Sequence, residues 1–435
     1  MKRSSTQFLL AALGMSVLML ALGRIGDWNS HIPLFLVLYF CAFAAYGIAA
    51  RLTLKNAFDS VPRISAWIFA IAVVIRLAVF FQEPSISEDF YRYVWDGRVQ
   101  IAGFGPYDHA PQEPEVQSLR DGNYERMHQK EYKSPYPAAA ELLYRLLAYT
   151  YPNLLLYKFG ILAFDLLLIE VLRRLLAKAS LHPANLLLYA WHPLPVIEFA
   201  GSAHMDIMGI ALLAVSILML ESSHKALSGA FFSAAILTKL LPIFAFPWLV
   251  RKGGWKFVVA AAVVGIALLS IYYTPDLRMK NGLMVYYRIW RYNDSLFGVM
   301  YKWFGGAEPA RNWGLFFVIL ITAFCYAASY PIYRSIWIIF AAFILFSPVV
   351  HPWYVCWVIP FLAFYPNKTW IFFTGWVAIA YLIRYLYPGG NWPDLLWLKL
   401  VVYGPLYGLL AVDLWRWGIG KSQAGRDSSA VKTSA

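Results

Sequence analysis

The chain has 435 residues, of which 60% are apolar, 18% aromatic and only 14% charged. A soluble domain averages about a quarter charged residues, so this composition excludes one and points to a polytopic membrane protein. Lys and Arg number 37 against 24 Asp and Glu, a formal +13; in this class the excess belongs to cytoplasmic loops, which removes nucleic acid as a partner.

Apolar stretches long enough to cross hydrocarbon begin near residues 7, 32, 64, 153, 184, 206, 257, 313, 335, 369 and 395. The first, Phe8 to Gly23, is closed by Arg24 and Asp27 without a small-residue cleavage site, so it reads as a helix and not a signal peptide. Lys2 and Arg3 set the amino terminus inside, and Arg51, Lys55, Arg63, then Arg173, Arg174 and Lys178, then Lys225 keep that parity. Arg251, Lys252 and Lys256 stay inside only if Ala226 to Val250 turns back on itself. That segment carries Lys239 at its middle and prolines at 242 and 247, so it reads as two half-helices with the turn at Thr238-Lys239. A lysine at the bilayer centre costs about 3 kcal/mol; at a hairpin tip it faces water or an anionic ligand.

Phe346 to Tyr365 is interrupted by Ser347-Pro348 and His351-Pro352-Trp353 and reads as a loop touching the outer face. The result is an all-α chain of about 12 to 14 crossings, one membrane domain over 1–420 with both termini inside. The polar tail from Lys421 to Ala435 is expected to be disordered. Cys41, Cys325 and Cys356 lie in apolar runs and supply no disulfide framework. No internal repeat of the kind that marks many transporters is visible.

Two long loops fall outside, residues 82 to 152 and 275 to 312. The first holds eleven acidic and seven basic residues, and long polar loops on a membrane scaffold are where chemistry usually sits. Its opening, Ser85-Ile86-Ser87-Glu88-Asp89-Phe90-Tyr91-Arg92-Tyr93-Val94-Trp95-Asp96-Gly97-Arg98, suits a helix capped by Ser87 with Asp89, Arg92, Tyr93 and Asp96 on one face. Phe90, Tyr91, Val94 and Trp95 suit the membrane surface. On the residues alone two readings stand. Glu88 and Asp89 do chemistry, or they only favour the helix N-terminus, where an acid gains about 0.3–1 kcal/mol.

This stretch, followed by Gly103-Phe104-Gly105-Pro106-Tyr107, resembles the polytopic GT-C glycosyltransferases that use polyprenyl- or dolichyl-phosphate sugars. Within them it is most similar to glycosyltransferase family 87, the bacterial polyprenyl-phosphate-mannose-dependent mannosyltransferases, and more distantly to the catalytic subunit of GPI mannosyltransferase I. Lys133-Ser134-Pro135-Tyr136-Pro137, Glu198-Phe199-Ala200-Gly201-Ser202-Ala203-His204-Met205-Asp206, Ile236-Leu237-Thr238-Lys239-Leu240-Leu241-Pro242, Arg288 to Ser295 and Ser347 to Tyr354 also look familial and occur in order. Gly105, Met205 and Glu88-Asp89 depart from the pattern; the last replaces an Asp-x-Asp spacing and argues against a divalent metal.

The resemblance implies a GT-C fold with short broken helices, and interfacial helices in the first long loop. It implies an inverting transfer of a hexose, mannose above others, from a polyprenyl-phosphate donor to a lipid or glycan acceptor at the extracytoplasmic face of a bacterial inner membrane. Membrane lipid is then a partner, and no cofactor or metal is called for. A phosphate leaves without an acid catalyst, so one carboxylate suffices as base, and Asp89 is the candidate. Lys239, Arg288, Arg291 and His351 are candidates for the donor phosphate; Glu88, Arg92, Tyr93, Asp96, Arg98, His204 and Asp206 are candidates for substrate contacts.

Each has a plainer role. Arg288 and Arg291 can meet lipid headgroups, His204 and Asp206 can cap a helix, His351 can serve a turn, and Arg76 can snorkel. His192 and Glu198 carry no assignment, and no spacing makes a zinc site. A different class also fits the architecture: a lipid-linked sugar transporter or flippase with Lys239, Arg76 and His204 along a polar path. An enzyme gathers its charges at one face, whereas a transporter spreads them through the membrane depth.

Overall fold

A computed structural model describes residues 3–59, 61–150, 153–388, 390 and 392–432, with the side chains of residues 3, 4 and 417–432 left outside the description. The described chain is all-helical apart from one isolated parallel bridge between Tyr292 and Val349. Six helices are long and apolar enough to cross a membrane, among them Asn29–Thr53, Ala307–Ala327 and Leu396–Arg416. The pair Pro193–Gly201 and Asp206–Glu221, bent by 115°, makes a seventh where it counts as one broken span and none where it turns back as a re-entrant loop. The expected 12 to 14 crossings are therefore not reached by helices of full length. Hydropathy reads through proline and glycine, but the backbone breaks at them. Ile64–Phe80, Lys225–Ile236, Ile332–Phe346 and Pro352–Leu362 are all apolar and all short.

The expected hairpin is present. Lys239 reaches Asp206 at the start of the Asp206–Glu221 helix, while Lys252 reaches Glu221 at its end. That helix has 16 residues, about 24 Å, so the chain runs along it and returns between 239 and 252. Gly254, at φ +63°, then turns the chain again before the run to Ser270. Phe232 packs against both Phe246 and Phe257, one from each later strand of the zigzag.

Three expectations are corrected. The Phe346–Tyr365 segment is not a superficial loop. After the bend at Ser347–His351 it enters the bundle, where Val355, Trp357, Val358 and Ile359 are buried. Arg76 does not snorkel; it is fully buried, with its guanidinium on Asp165 at 2.7 Å and on the Ala190 carbonyl at 2.7 Å. The Asp89–Ile101 helix does not float on the membrane, since Phe90, Tyr91, Val94 and Trp95 are buried within the protein, Trp95 against Tyr124 and Phe90 against Tyr157. The backbone of the last helix, Leu396–Lys432, runs through Pro405 and on past Lys421; residues 433–435 of the tail lie outside the described ones.

The Asp89–Ile101 helix is pressed against the Ala138–Thr150 helix at Gly97. A Cβ there would stand 2.1 Å from the Tyr157 hydroxyl and 2.5 Å from the Tyr144 carbonyl, two groups hydrogen-bonded to each other at 2.9 Å. Gly97→Ala is expected to cost about 1–3 kcal/mol by overpacking, read as a lowered melting temperature in detergent.

Candidate active site

Asp89 opens its helix, with the Ser87 hydroxyl accepting from its backbone N–H at 3.3 Å. Its carboxylate takes no hydrogen bond or ion pair from any described residue. It lines a cavity of about 290 Å³ together with Glu88, Arg92, Lys133, Arg291, His351 and Arg384. Burial lifts its carboxyl above the ordinary aspartate value; Glu88 and Asp206 add to that, while His204 and Lys239 oppose it. A free carboxylate of raised basicity facing a cavity is what proton abstraction requires.

Glu88 has the opposite fate. Burial would raise its carboxyl, but a two-point pair with Arg384, at 2.9 and 2.8 Å, outweighs burial and holds it below the usual range. With Glu88 committed to a guanidinium, no second free carboxylate stands beside Asp89 to share a cation. The described residues hold one cluster with close metal-ligating atoms, His109, Glu113 and Glu115, and it lies outside the cavity.

One wall is aromatic. His351 is sandwiched between Tyr292 at 4.6 Å and Trp353 at 4.2 Å, and Trp353 stacks in turn on His204 at 3.9 Å. The Tyr292–Val349 bridge fixes this wall by joining the second outer loop to the bend that carries His351. Burial, reinforced by His204, Lys239 and Arg384, pushes the His351 imidazole well below its usual range, so it is neutral and offers a hydrogen bond and not a charge.

Lys239 lies next to this wall, on Asp206 at 2.5 Å and 3.8 Å above the Tyr354 ring, whose hydroxyl meets that of the cavity residue Tyr286. Asp206 also accepts from the Trp357 indole at 2.7 Å. His204 sits at the apex of the 115° bend, buried, with Glu198 at 3.1 Å. The hairpin tip and the bend thus place Lys239, His204 and Asp206 at one end of the bundle, beside Asp89.

Other expected residues serve the site from behind or leave it. Arg92 lines the cavity and is anchored by Asp96 at 2.8 Å and by the Tyr132 carbonyl at 2.9 Å. Asp96 and Tyr93 face protein, Tyr93 stacked on Tyr144 at 4.9 Å. Behind them Glu141 is buried against Ser134 at 2.5 Å, and burial followed by the Asp96 charge pushes it well above the ordinary range, so it keeps its proton. Arg98 points away to Asp121 at 2.6 Å and pins the loop. Arg291 lines the cavity, paired with Asp294 at 2.9 Å and Asp394 at 3.0 Å. Arg288 does not reach it. The helix ends at Ile289 and Trp290 is extended, so Arg288 stays on the outward side while Arg291 turns in.

Sequence reasoning missed Arg384 and Lys133. Arg384 is a charge inside the apolar run Tyr381 to Leu386, a signal of its own. Lys133 opens the Lys-Ser-Pro-Tyr-Pro segment and donates to the Asp108 carbonyl at 2.5 Å, with no carboxylate partner among the described residues. The transporter reading placed Arg76 on a path, yet Arg76 is sealed by Asp165 and lines neither the cavity at Asp89 nor the smaller one beside Asp294.

No curated protein matches the chain. Residues 7–252 match the model of the MptA_B family, described as the alpha-(1->6)-mannopyranosyltransferase N-terminal domain. That match covers the bend, the hairpin and the loop that carries Asp89, and with more than half of its length matched the chain belongs to this mannosyltransferase family and is a glycosyltransferase.

Proposed function

We propose that the protein is an inverting mannosyltransferase that takes mannose from a polyprenyl-phosphate donor and passes it to a lipid or glycan acceptor at the extracytoplasmic face of a bacterial plasma membrane. The observation that carries the reading is the unpartnered Asp89 carboxylate facing a cavity ringed by cations. The donor's isoprenoid chain stays in the bilayer, which suits a cavity at the end of a membrane bundle. The acceptor oxygen attacks the anomeric carbon from the side opposite the phosphate, the carbon–oxygen bond to phosphate breaks, and its electron pair leaves with the phosphate. Asp89 takes the acceptor hydroxyl's proton as positive charge builds on that oxygen. No residue need protonate the leaving group.

The departing phosphate would meet Lys239, Arg291 and His351, with Lys133 in the place first given to Arg288. Lys239 and Arg291 each hold a carboxylate in this structure, so the phosphate competes with Asp206 and Asp294, while Lys133 has no carboxylate at ion-pair distance among the described residues. Glu88 and Arg92 complete the cavity floor; Tyr93, Asp96, Arg98, His204 and Asp206 position the groups that line it.

The test is transfer in proteoliposomes from β-linked polyprenyl-phosphate-[14C]mannose, with GDP-[14C]mannose as the rival donor. Product from the lipid-linked donor alone, with an α linkage by mannosidase digestion, is the expected outcome. Product from GDP-mannose at the same rate, or retention of the β linkage, would overturn donor class or stereochemistry respectively.

A further inference from the structure

Glu88 and Asp89 are chain neighbours, both line the cavity, and both are carboxylates. A base that must act alone cannot have an equal beside it without something to tell them apart. Arg384 does this from the far end of the chain, 296 residues away. Its guanidinium grips both Glu88 oxygens, donates to the Asn29 side chain at 3.2 Å and lies 5.0 Å from the Trp392 ring centre, and it is 8% exposed. Held on three sides, it is a fixed fork and not a mobile cation.

We propose that Arg384 is a positioning residue for Asp89: by locking Glu88 in a two-point ion pair it withdraws the competing carboxylate and leaves Asp89 as the one free base facing the acceptor. The inference rests on the reading of Asp89 as base. Its physical content is a charge argument. Without Arg384 the Glu88 carboxylate stands uncompensated next to Asp89, and a like charge at close range disfavours ionisation.

Of the other charged groups around Asp89, Lys133 has no carboxylate at ion-pair distance among the described residues, Arg291 is held by Asp294 and Asp394, and the rest are balanced. On its own helix, Arg92 is held by Asp96. From the bend and hairpin come His204, bound to Glu198, and Lys239, bound to Asp206. From the aromatic wall comes His351, which is neutral. His128 stands 3.7 Å from Glu88 on the solvent side, too exposed to replace a guanidinium. Removing Arg384 leaves the Arg92, Lys239 and His204 pairs in place but takes a cation away from His351, so Glu88→Gln and the double variant are what trace a change in the basicity of Asp89 to Glu88.

The experiment is the pH profile of kcat/KM for polyprenyl-phosphate-mannose, measured in proteoliposomes for wild type, Arg384→Gln, Arg384→Lys, Glu88→Gln, the Arg384→Gln/Glu88→Gln pair and Asp89→Asn. The acid limb reports the base of the free enzyme. In Arg384→Gln it is expected to move up by about one pH unit. In Glu88→Gln it moves down, since the like charge is gone and Arg384 remains. The double variant returns towards wild type, and Arg384→Lys, which keeps the charge, stays close to it.

An unmoved limb in Arg384→Gln with a raised donor KM would make Arg384 a phosphate ligand and overturn the inference. Loss in Glu88→Gln as deep as in Asp89→Asn would make Glu88 a base and overturn it too. Should Arg384→Gln not fold, Glu88→Gln and the double variant still decide, an unmoved limb in Glu88→Gln being fatal. Wild-type transfer by Asp89→Asn sinks the base assignment itself; collapse of Asp89→Asn with unmoved limbs elsewhere sinks this inference alone.

Discussion

Replacing Asp89 by asparagine is expected to lower kcat/KM about 10²- to 10⁴-fold, the usual contribution of a positioned base, while leaving the protein at least as stable as wild type. The two halves of this expectation come from one observation. A helix-capping carboxylate would give up a favourable interaction when neutralised, but the Asp89 side chain takes no hydrogen bond and its ionised form is disfavoured by burial. The sign follows from linkage. A carboxyl whose folded pKa lies above its unfolded value costs stability at neutral pH. That cost shrinks as pH falls below the folded pKa and is gone once pH is below the unfolded one, where the group is protonated in both states. Asp89→Asn should therefore melt at or above the wild-type temperature at neutral pH, and the two curves should converge on acidification. Loss of transfer together with a lowered melting temperature would return Asp89 to a structural role.

How much of this was legible in the chain depends on whether the signal was local. Asp89, the hairpin tip at Lys239 and the turn at His204–Asp206 each announce themselves within a few residues, as a charge or a helix breaker inside an apolar run. The structure brings these three local signals to one end of the bundle. Tyr93, Asp96 and Arg98 were candidates for substrate because they belong to the motif that opens the outer loop. Most of their helix is buried and only its first turns reach the cavity, so the same periodicity supplies packing and anchoring. Arg288 and Arg291 are alike in sequence and differ only because the helix stops between them.

Arg384 could not be tied to Glu88 at a separation of 296 residues, although its position in an apolar run marked it as unusual. Helices of full length do not supply the expected 12 to 14 crossings, for a related reason. Broken segments such as Pro352–Leu362, read as part of a superficial loop, are packed as short buried pieces.

The second large effect concerns stability, and it also separates an enzyme scaffold from a transport path. Arg76 and Asp165 are both at zero exposure, joined at 2.7 and 3.1 Å, with the Tyr189 hydroxyl on the carboxylate at 2.7 Å and the Ala190 carbonyl on the guanidinium. The pair ties the Ile64–Phe80 helix to Leu154–Lys178 and to the Pro183–Ala190 turn, just ahead of the bend that carries His204. Removing one partner from a buried pair costs about 3–5 kcal/mol, whereas replacing both by apolar residues is often neutral.

The two single variants should differ. A stranded arginine cannot shed its proton, but a stranded aspartate can take one up. Asp165→Ala is therefore expected to lower the melting temperature more than Arg76→Met, and Arg76→Met/Asp165→Leu to recover most of the loss, with transfer from the lipid-linked donor following the folded fraction in all three. A charge pair that carried substrate through the membrane would behave in the reverse manner: the double variant would be stable and inactive, and the mannose donor would accumulate on one side of the vesicle.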